Sequence, residues 1–514
     1  MQTIKNLNKK VVLCILDGFG MAKPGAKDLK NAILHAKKPN LDRIFASYPW
    51  TTIEPGGELV GLPKGVVGNS EVGHMNLGAG RPVRQDLVRI NEAIEKNALS
   101  SMPELQNLIQ TAKKKTKRIH LMGLLSDGGV HSHISHFKAI IDILRKEPDL
   151  KIFFHAFMDG RDTAPDVGEK YLNDILGHGG FTFASMQGRS IGMDRDRRWE
   201  KIKLAYDTFI GHGETTTVDP VTYLRSEHKE KRFDEFVKPV LFNKSSAIQN
   251  DDCIFFMNFR PDRAIQLALT FNWDKFQEFK IDVKPAFYLC MTPYVPDEVT
   301  LPILFDKERI PMPLSQYLSS LNLKQFKIAE TEKYAHVTYF FNGGEKKPFS
   351  GEEHVLIPSP KEVPTYDCKP QMSAPLVAAR LIEAINQKGY DFLLVNFANA
   401  DMVGHTGKYE AALKAVEALD ECVGKVAEAC KNAGYTLLLT ADHGNADQMV
   451  YEDGTPHTSH TGAAVPFVVI DAKLENVKVA TLKKDPALMD VGPTVLTIMG
   501  IPYPSLFQGQ AIFV

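Results

Sequence analysis

YTLLLTADHGNAD, residues 435–447, decides how the rest of the chain is read. An apolar run, Leu437, Leu438 and Leu439, ends in Thr440, and Asp442, His443 and Gly444 follow at once. A short all-apolar run bounded by polar residues predicts a parallel strand buried on both faces. Groups placed just past its carboxyl end stand where open α/β sheets keep their ligands. An adjacent aspartate and histidine there offer one oxygen and one imidazole nitrogen to a divalent metal. The same residues would also serve as a turn, with Asp442 capping the next helix, so the neighbouring stretches have to choose between the two.

Other apolar runs end in the same way. Residues 11–16 lead into Asp17-Gly18-Phe19-Gly20, 119–125 into Ser126-Asp127-Gly128-Gly129-Val130-His131, and 152–157 into Asp159-Gly160-Arg161-Asp162. Residues 181–186 lead into Gly188-Arg189, 253–257 into Arg260-Pro261-Asp262-Arg263, and 392–397 into Asn399 and Asp401. Helical periods separate these runs. In 408–430 the positions Leu413, Val416, Leu419, Val423, Val426, Ala427 and Cys430 step by three or four, one buried stripe on a surface helix, and 134–146 behaves similarly. Strands alternating with helices predict an α/β architecture.

At 514 residues the chain is too long for one ordinary core, so two domains or more are expected. Its 44% hydrophobic and 24% charged content are those of a globular protein. Lys and Arg number 61 against 62 Asp and Glu, a formal net charge of -1, which argues against nucleic acid or an anionic membrane as partner. At the N-terminus, the apolar VVLCIL after MQTIKNLNKK is too short for a signal peptide and runs into Asp17-Gly18 without a small-residue cleavage site. It reads as a first strand. No apolar run approaches the ~18 residues of a membrane span. Cys14, Cys253, Cys290, Cys368, Cys422 and Cys430 form no C-x-x-C pair and read as small core residues of a reducing compartment, so the cytoplasm is expected.

The carboxylates and histidines that look functional concentrate at the two ends of the chain, in 17–74 and 401–460, and arginine-bearing strand ends in the middle, between 131 and 263. This predicts a discontinuous domain interrupted by an inserted one, 1–82 with 312–514 around 83–311. Gly78-Ala79-Gly80-Arg81-Pro82-Val83 is the expected first hinge and the proline-bearing segment 293–313 the second. Asp401 and His405 stand four apart, a spacing that shares one face of a helix, but Gly404 and Gly407 suggest a loop instead. His457 and His460 lie in T-P-H-T-S-H-T-G before the run 466–470. With Asp17, Asp442 and His443, these are enough oxygen and nitrogen ligands for two divalent ions.

A glycine-rich segment, 55–68, introduces Ser70 in Gly68-Asn69-Ser70. No G-x-S-x-G elbow surrounds it, so no hydrolase triad is signalled. A metal that lowers the pKa of bound water from about 16 to about 7 would by the same logic favour a serine alkoxide. Ser70 also reads as the cap of a following helix, where a phosphate ester on it would meet the helix dipole. In the middle, Arg161, Arg189, Arg195, Arg260 and Arg263 offer planar forks that suit a small anion carrying carboxylate and phosphate. Asp162, beside Arg161, is placed to move a proton.

These residues carry a likeness. The segments LDGFG (16–20), GNSEVGH (68–74), SDGGVHSH (126–133), DGRDTAP (159–165) and MDRDRRW (193–199) resemble those of the cofactor-independent phosphoglycerate mutases. So do NFRPDRA (258–264), AETEKYAHVTYFFNGG (329–344), ADMVGHTG (400–407), TADHGNAD (440–447) and HTSHTG (457–462), in order along nearly the whole chain. The resemblance implies an alkaline-phosphatase-like discontinuous domain bearing two divalent ions of manganese type, with a second α/β domain inserted into it. It implies that Ser70 takes a phosphoryl group from 3-phosphoglycerate and returns it to the other hydroxyl, with no 2,3-bisphosphoglycerate. By residue match, Asp401, His405 and His460 are expected on one metal, and Asp17, Ser70, Asp442 and His443 on the other. His131, Arg161, Asp162, Arg189, Arg195, Arg260, Arg263 and Lys333 are the expected substrate-binding set, with Asp162 as acid and base.

The family match alone selects His460 over His457. Closure of one domain on the other is expected to exclude water. Ser190-Ile191-Gly192, Ala400 and Phe19 depart from the family pattern without removing a ligand, and Ala400 is expected to loosen the loop that aims Asp401. A monomer acting on small-molecule phosphoglycerate, with neither nucleic acid nor membrane as partner, is the expectation. A metal-dependent phosphatase, a phosphopentomutase or a catalytically silent phosphosugar-binding protein would share the fold. The silent protein would be expected to have lost Ser70 or a metal ligand, and every such position is filled.

Overall fold

Chain order among the described residues gives thirteen strands, in two sheets. They are β1 (Val11–Leu16), β2 (Trp50–Ile53), β3 (Arg118–Leu125), β4 (Lys151–Met158), β5 (Thr182–Gly188), β6 (Val240–Leu241), β7 (Cys253–Phe256) and β8 (Phe287–Cys290). The rest are β9 (Gln325–Glu330), β10 (Glu352–Ile357), β11 (Phe392–Phe397), β12 (Thr436–Thr440) and β13 (Val465–Ile470). The computed structural model describes residues 4, 7, 9–22, 25, 27–295, 299–307, 309–477 and 484–513. Most of the polar leader before β1, and part of the expected hinge 293–313, lie outside the described residues.

The chain divides into two compact units, 1–85 with 309–514, and 86–308. Gly78 and Ala79 end the Ser70–Ala79 helix and Gly80, at φ 61°, is its left-handed cap, so the first half of the first expected hinge is regular structure. Arg81, Pro82 and Val83 lie in the irregular stretch that leads to the border between the units.

The first unit holds a seven-stranded sheet of order β10-β9-β11-β1-β12-β13-β2. Strands β10, β9, β11, β1 and β12 run parallel, and β13 is antiparallel to both β12 and β2. Every residue of β12 is buried, as its apolar run requires. Its pairing corrects the purely parallel reading: it is parallel to β1 on one side and antiparallel to β13 on the other. From β12 the chain returns to the sheet from the end it left, without a crossover helix, and antiparallel pairing follows. In register, Leu16 lies beside Phe397 and Ile15 beside Thr440, so β11, β1 and β12 end nearly level. The Tyr409–Ala433 helix buries Val416, Leu419, Val423, Val426, Ala427 and Cys430, the stripe its period predicts, with Leu413 half-buried at the margin.

The second unit holds a sheet of order β6-β5-β4-β3-β7-β8, parallel except for the short β6. Its strands are covered on both faces. Ile119, Leu121, Leu125 and Phe154 point into one core, and Met122, Leu124, Phe157 and Phe256 into the other, the two-residue alternation of a strand. No helix among the described residues is long and apolar enough to cross a membrane. All six cysteines are free; five are buried, while Cys368 is exposed and so departs from the core reading.

Candidate active site

Three neighbouring strand ends in the first unit build a buried acidic cluster. Asp17 follows β1, Asp442 lies beyond the end of β12, and Asp401 lies just beyond β11; adjacent strands are about 4.8 Å apart, so groups at level ends meet. Asp17 and Asp442 are fully buried and Asp401 is 2% exposed. Gly18 (φ 74°) lets the chain turn out of β1 against Asp401, whose backbone would lie 2.7 Å from any Cβ there.

The Ser70–Ala79 helix brings the hydroxyl. Asn69 caps it, its side chain accepting from the Val72 N–H at 3.0 Å, so Ser70 is the first helical residue and not the cap. Its Oγ is thereby left for the cluster: it accepts from Lys333 Nζ at 2.8 Å, lies 2.9 Å from His443 Nε2 and donates toward Asp17 Oδ1 at 3.3 Å. Lys333, expected among the substrate-binding residues, stands in this cluster. Its ammonium also donates to Asp17 Oδ1 (2.7 Å) and Asp401 Oδ2 (2.6 Å). Burial opposes that charge, yet Asp17, Asp401 and Asp442 together hold the ammonium above its ordinary range.

The same burial splits the acids. It outweighs the attraction of Lys333 at Asp17, where Asp442 adds repulsion, and raises that carboxyl. At Asp401 burial is overcome by Lys333 and His405, and at Asp442 by His443 and His74, so both are held below the carboxylate range.

Asp401 and His405 correct the loop reading. Asn399–Gly404 is a helix with His405 at its C-cap, so the four-residue spacing does share a face: His405 Nε2 is 3.2 Å from Asp401 Oδ1. Ala400 is buried inside that helix and loosens no loop. His460 Nε2 lies 3.4 Å from the same oxygen and 3.1 Å from His405 Nε2. His457 is buried instead, edge-on to Tyr451.

The histidine tautomers test whether metals fit. His405, His443 and His460 each direct Nδ1 at a backbone carbonyl, those of Thr458, Gly444 and Gly68, at 2.8, 3.2 and 3.1 Å. A carbonyl only accepts, so Nδ1 carries a proton and Nε2 is the nitrogen that faces the cluster. Nε2 atoms of His405 and His460 turned toward each other beside a carboxylate are stabilised by a positive charge between them, a proton on one ring or a metal ion in its place. Asp401, His405 and His460 have donor atoms within 4.8 Å of one another, as do Asp17, His74 and Asp442, and Asp17, Asp401 and His443. Mixed oxygen and imidazole donors suit a divalent transition ion, and three buried carboxylates around one ammonium leave negative charge for it to balance.

In the second unit, His131, Arg161, Asp162, Arg189, Arg195, Arg260 and Arg263 follow strand ends. Buried Arg189 donates through Nη1 to Asp159 Oδ1 and to Asp162 Oδ2, both at 2.6 Å, and its Nε finds no partner. Asp262 takes Arg195 and Arg260, both at 3.1 Å, and lies 3.8 Å from His131 Nδ1. His131 is also 3.9 Å from Asp162, and burial with Arg189 pushes it down to about 3. Arg263 donates to the Met193 carbonyl at 3.0 Å, and Arg161 lies 3.5 Å from Glu235.

Sequence reasoning singled out neither His74, Asn396 and Asn445 in the first unit nor the ties made by Asp159 and Asp262 in the second. His74 had a usable signal: it stands four residues after Ser70, one helical turn away, and donates from Nδ1 to the Ser70 carbonyl at 2.8 Å.

Comparison with known proteins follows the same lines. Residues 9–503 match the Metalloenzyme superfamily. A 2,3-bisphosphoglycerate-independent phosphoglycerate mutase of Bacteroides thetaiotaomicron is 44% identical over 512 residues, covering 98% of this chain and 100% of that one. One from Clostridium novyi is 45% identical over 515 residues, covering 98% and 99%. Among solved structures, the phosphoglycerate mutase of Leishmania mexicana at low cobalt concentration is similar at TM-score 0.69 and 28% identity, over 98% of each chain.

Proposed function

The chain belongs to the 2,3-bisphosphoglycerate-independent phosphoglycerate mutases of the Metalloenzyme superfamily, and from that premise we propose how its own residues interconvert 3-phosphoglycerate and 2-phosphoglycerate in glycolysis. The observation that carries the proposal is the Ser70 hydroxyl, buried among three carboxylates, Lys333 and His443.

Two divalent ions fit this unit, one on Asp401, His405 and His460 and one on Asp17, Ser70, Asp442 and His443; Mn2+ is the ion we propose. When bound they supply Lewis acidity, favouring the serine alkoxide and offsetting phosphoryl charge. Ser70 Oγ forms a bond to phosphorus as the bond to the C3 oxygen of glycerate breaks. Asp162 gives that oxygen a proton and takes one from the C2 hydroxyl, whose oxygen then attacks phosphorus and releases Ser70. Lys333, already bonded to Ser70 Oγ, places a positive charge beside the phosphoryl oxygens. Arg161, Arg189, Arg195, Arg260, Arg263 and His131 hold the carboxylate and phosphate of the substrate, for which the unpartnered Nε of Arg189 is one available donor.

Free, mostly buried thiols support a reducing compartment, so we place the enzyme in the cytoplasm. The balanced charge supports a protein with neither nucleic acid nor an anionic membrane as partner, and we propose that it acts as a monomer. A coupled assay for 2-phosphoglycerate formation, run without 2,3-bisphosphoglycerate, tests the function. Turnover is expected, stopped by a chelator and restored by Mn2+. Indifference to the chelator, or inorganic phosphate released faster than 2-phosphoglycerate forms, contradicts it.

A further inference from the structure

Two asparagines lie directly behind the acidic cluster, and both are fully buried. Asn396, on β11, donates from Nδ2 to Asp17 Oδ2 at 2.8 Å, and the same nitrogen lies 3.0 Å from His74 Nε2. Asn445, after β12, donates from Nδ2 to Asp401 Oδ1 at 2.8 Å and toward the Asp401 carbonyl at 3.3 Å. Carboxylates and carbonyls only accept, so the amide nitrogen must face them and the orientation of each side chain is fixed. Both amide oxygens are left buried without a hydrogen-bond partner. An unpaired buried acceptor is destabilising, so each asparagine is held against a penalty by what its nitrogen does.

The two serve different acids. Asn396 grips the outer oxygen of Asp17 and leaves Oδ1 toward Ser70 and Lys333. Asn445 takes one lone pair of Asp401 Oδ1, the oxygen that His405 and His460 face. Resting on the two-ion reading proposed for this unit, we propose that Asn396 and Asn445 are positioning residues, each orienting the carboxylate of a different ion. A ligand pre-oriented by an outer hydrogen bond binds its metal about 10–100-fold more tightly than one without it.

Calorimetric titration of Mn2+ into the full-length, chelator-stripped protein tests this. Wild type is expected to bind in two steps. Asn396→Ala weakens one step about 10–100-fold and leaves the other within about twofold, and Asn445→Ala does the reverse. Asn396→Ser and Asn445→Ser, which keep a small polar group but cannot reach the acids, must show the same crossover and stand in for an alanine variant that does not fold. General loosening of the fold would weaken both steps together in either variant. That outcome, or both variants weakening the same step, or neither step moving, overturns the proposal. Fewer than two ions on wild type removes the parent reading, and this inference with it.

Discussion

The nucleophile proposed at Ser70 depends on its neighbours, because an isolated serine hydroxyl holds its proton at neutral pH. Removing the oxygen while keeping the helix separates chemistry from folding: Ser70→Ala is expected to lose more than about 10³-fold in turnover, with an unchanged circular dichroism spectrum. A near-normal rate in the coupled assay removes the nucleophile. A second residue tests the electrostatics of burial away from the acids. Glu330 is fully buried and accepts from Ser359 Oγ at 3.0 Å; burial lifts it from 4.5 to about 7, with Glu332 adding to the rise and Lys369 opposing it. Between those values the folded carboxyl keeps its proton while the unfolded one has lost it. Stability therefore falls as pH rises from 4.5 to 7, by about 3 kcal/mol in all, and is indifferent to this group below 4.5. Glu330→Gln should be more stable than wild type in urea at pH 8 and equal to it near pH 4. At this scale the sequence announces Asp17, Asp401, Asp442 and His443 because each follows an apolar run. Asn396 stays hidden: it lies inside such a run, and its partner Asp17 is 379 residues away.

Elements place these groups by how closely they approach. Gly73 lets the Ser70–Ala79 helix lie against the end of β12, where a Cβ would come within 2.8 Å of Asp442 Cβ. Gly73→Ala must push the helix, and Ser70 with it, off Asp442. A stability loss of about 1–3 kcal/mol is expected, with kcat reduced more than KM is changed, as measured by denaturation and steady-state kinetics. Alanine kinetics indistinguishable from wild type would mean that this seat does not position Ser70. The strands were legible because apolar runs with polar ends mark buried strands of an α/β sheet, and the long helix because its stripe keeps a 3.6-residue period. The Asn399–Gly404 helix was not, and the reason is physical. Gly404 suggests a loop, yet it serves close packing, since a Cβ there would fall 2.4 Å from Asn445 Oδ1. A glycine needed for space and one needed for a turn look alike in a sequence. The antiparallel β13 was hidden for a similar reason, since direction depends on the route of the connection and not on the strand's own residues.

On the scale of the whole molecule, the strand-end clusters follow the two units: Asp17, Asp401, His405, Asp442, His443 and His460 lie in one, and Arg161, Arg189, Arg195, Arg260 and Arg263, with His131 and Asp162, in the other. Their places after apolar runs made that grouping legible, whereas exact borders were not, because a helix cap such as Gly80 reads like a link. Ions bound by the first unit must stabilise that unit by mass action. Mn2+ at 100 times its dissociation constant is expected to add about 2.7 kcal/mol per ion. Calorimetry of chelator-stripped protein should show the first unit's transition rising on Mn2+ addition and returning when chelator is added; an unmoved transition contradicts a bound ion. The central claim, that Ser70 carries the phosphoryl group between the two hydroxyls, has a more direct test. Enzyme in excess over 3-phosphoglycerate radiolabelled in its phosphoryl group is quenched in acid within the first turnover and digested. Label is predicted on the peptide containing Ser70, passing to 2-phosphoglycerate as the reaction proceeds, whereas label that reaches product without appearing on Ser70 would contradict the account.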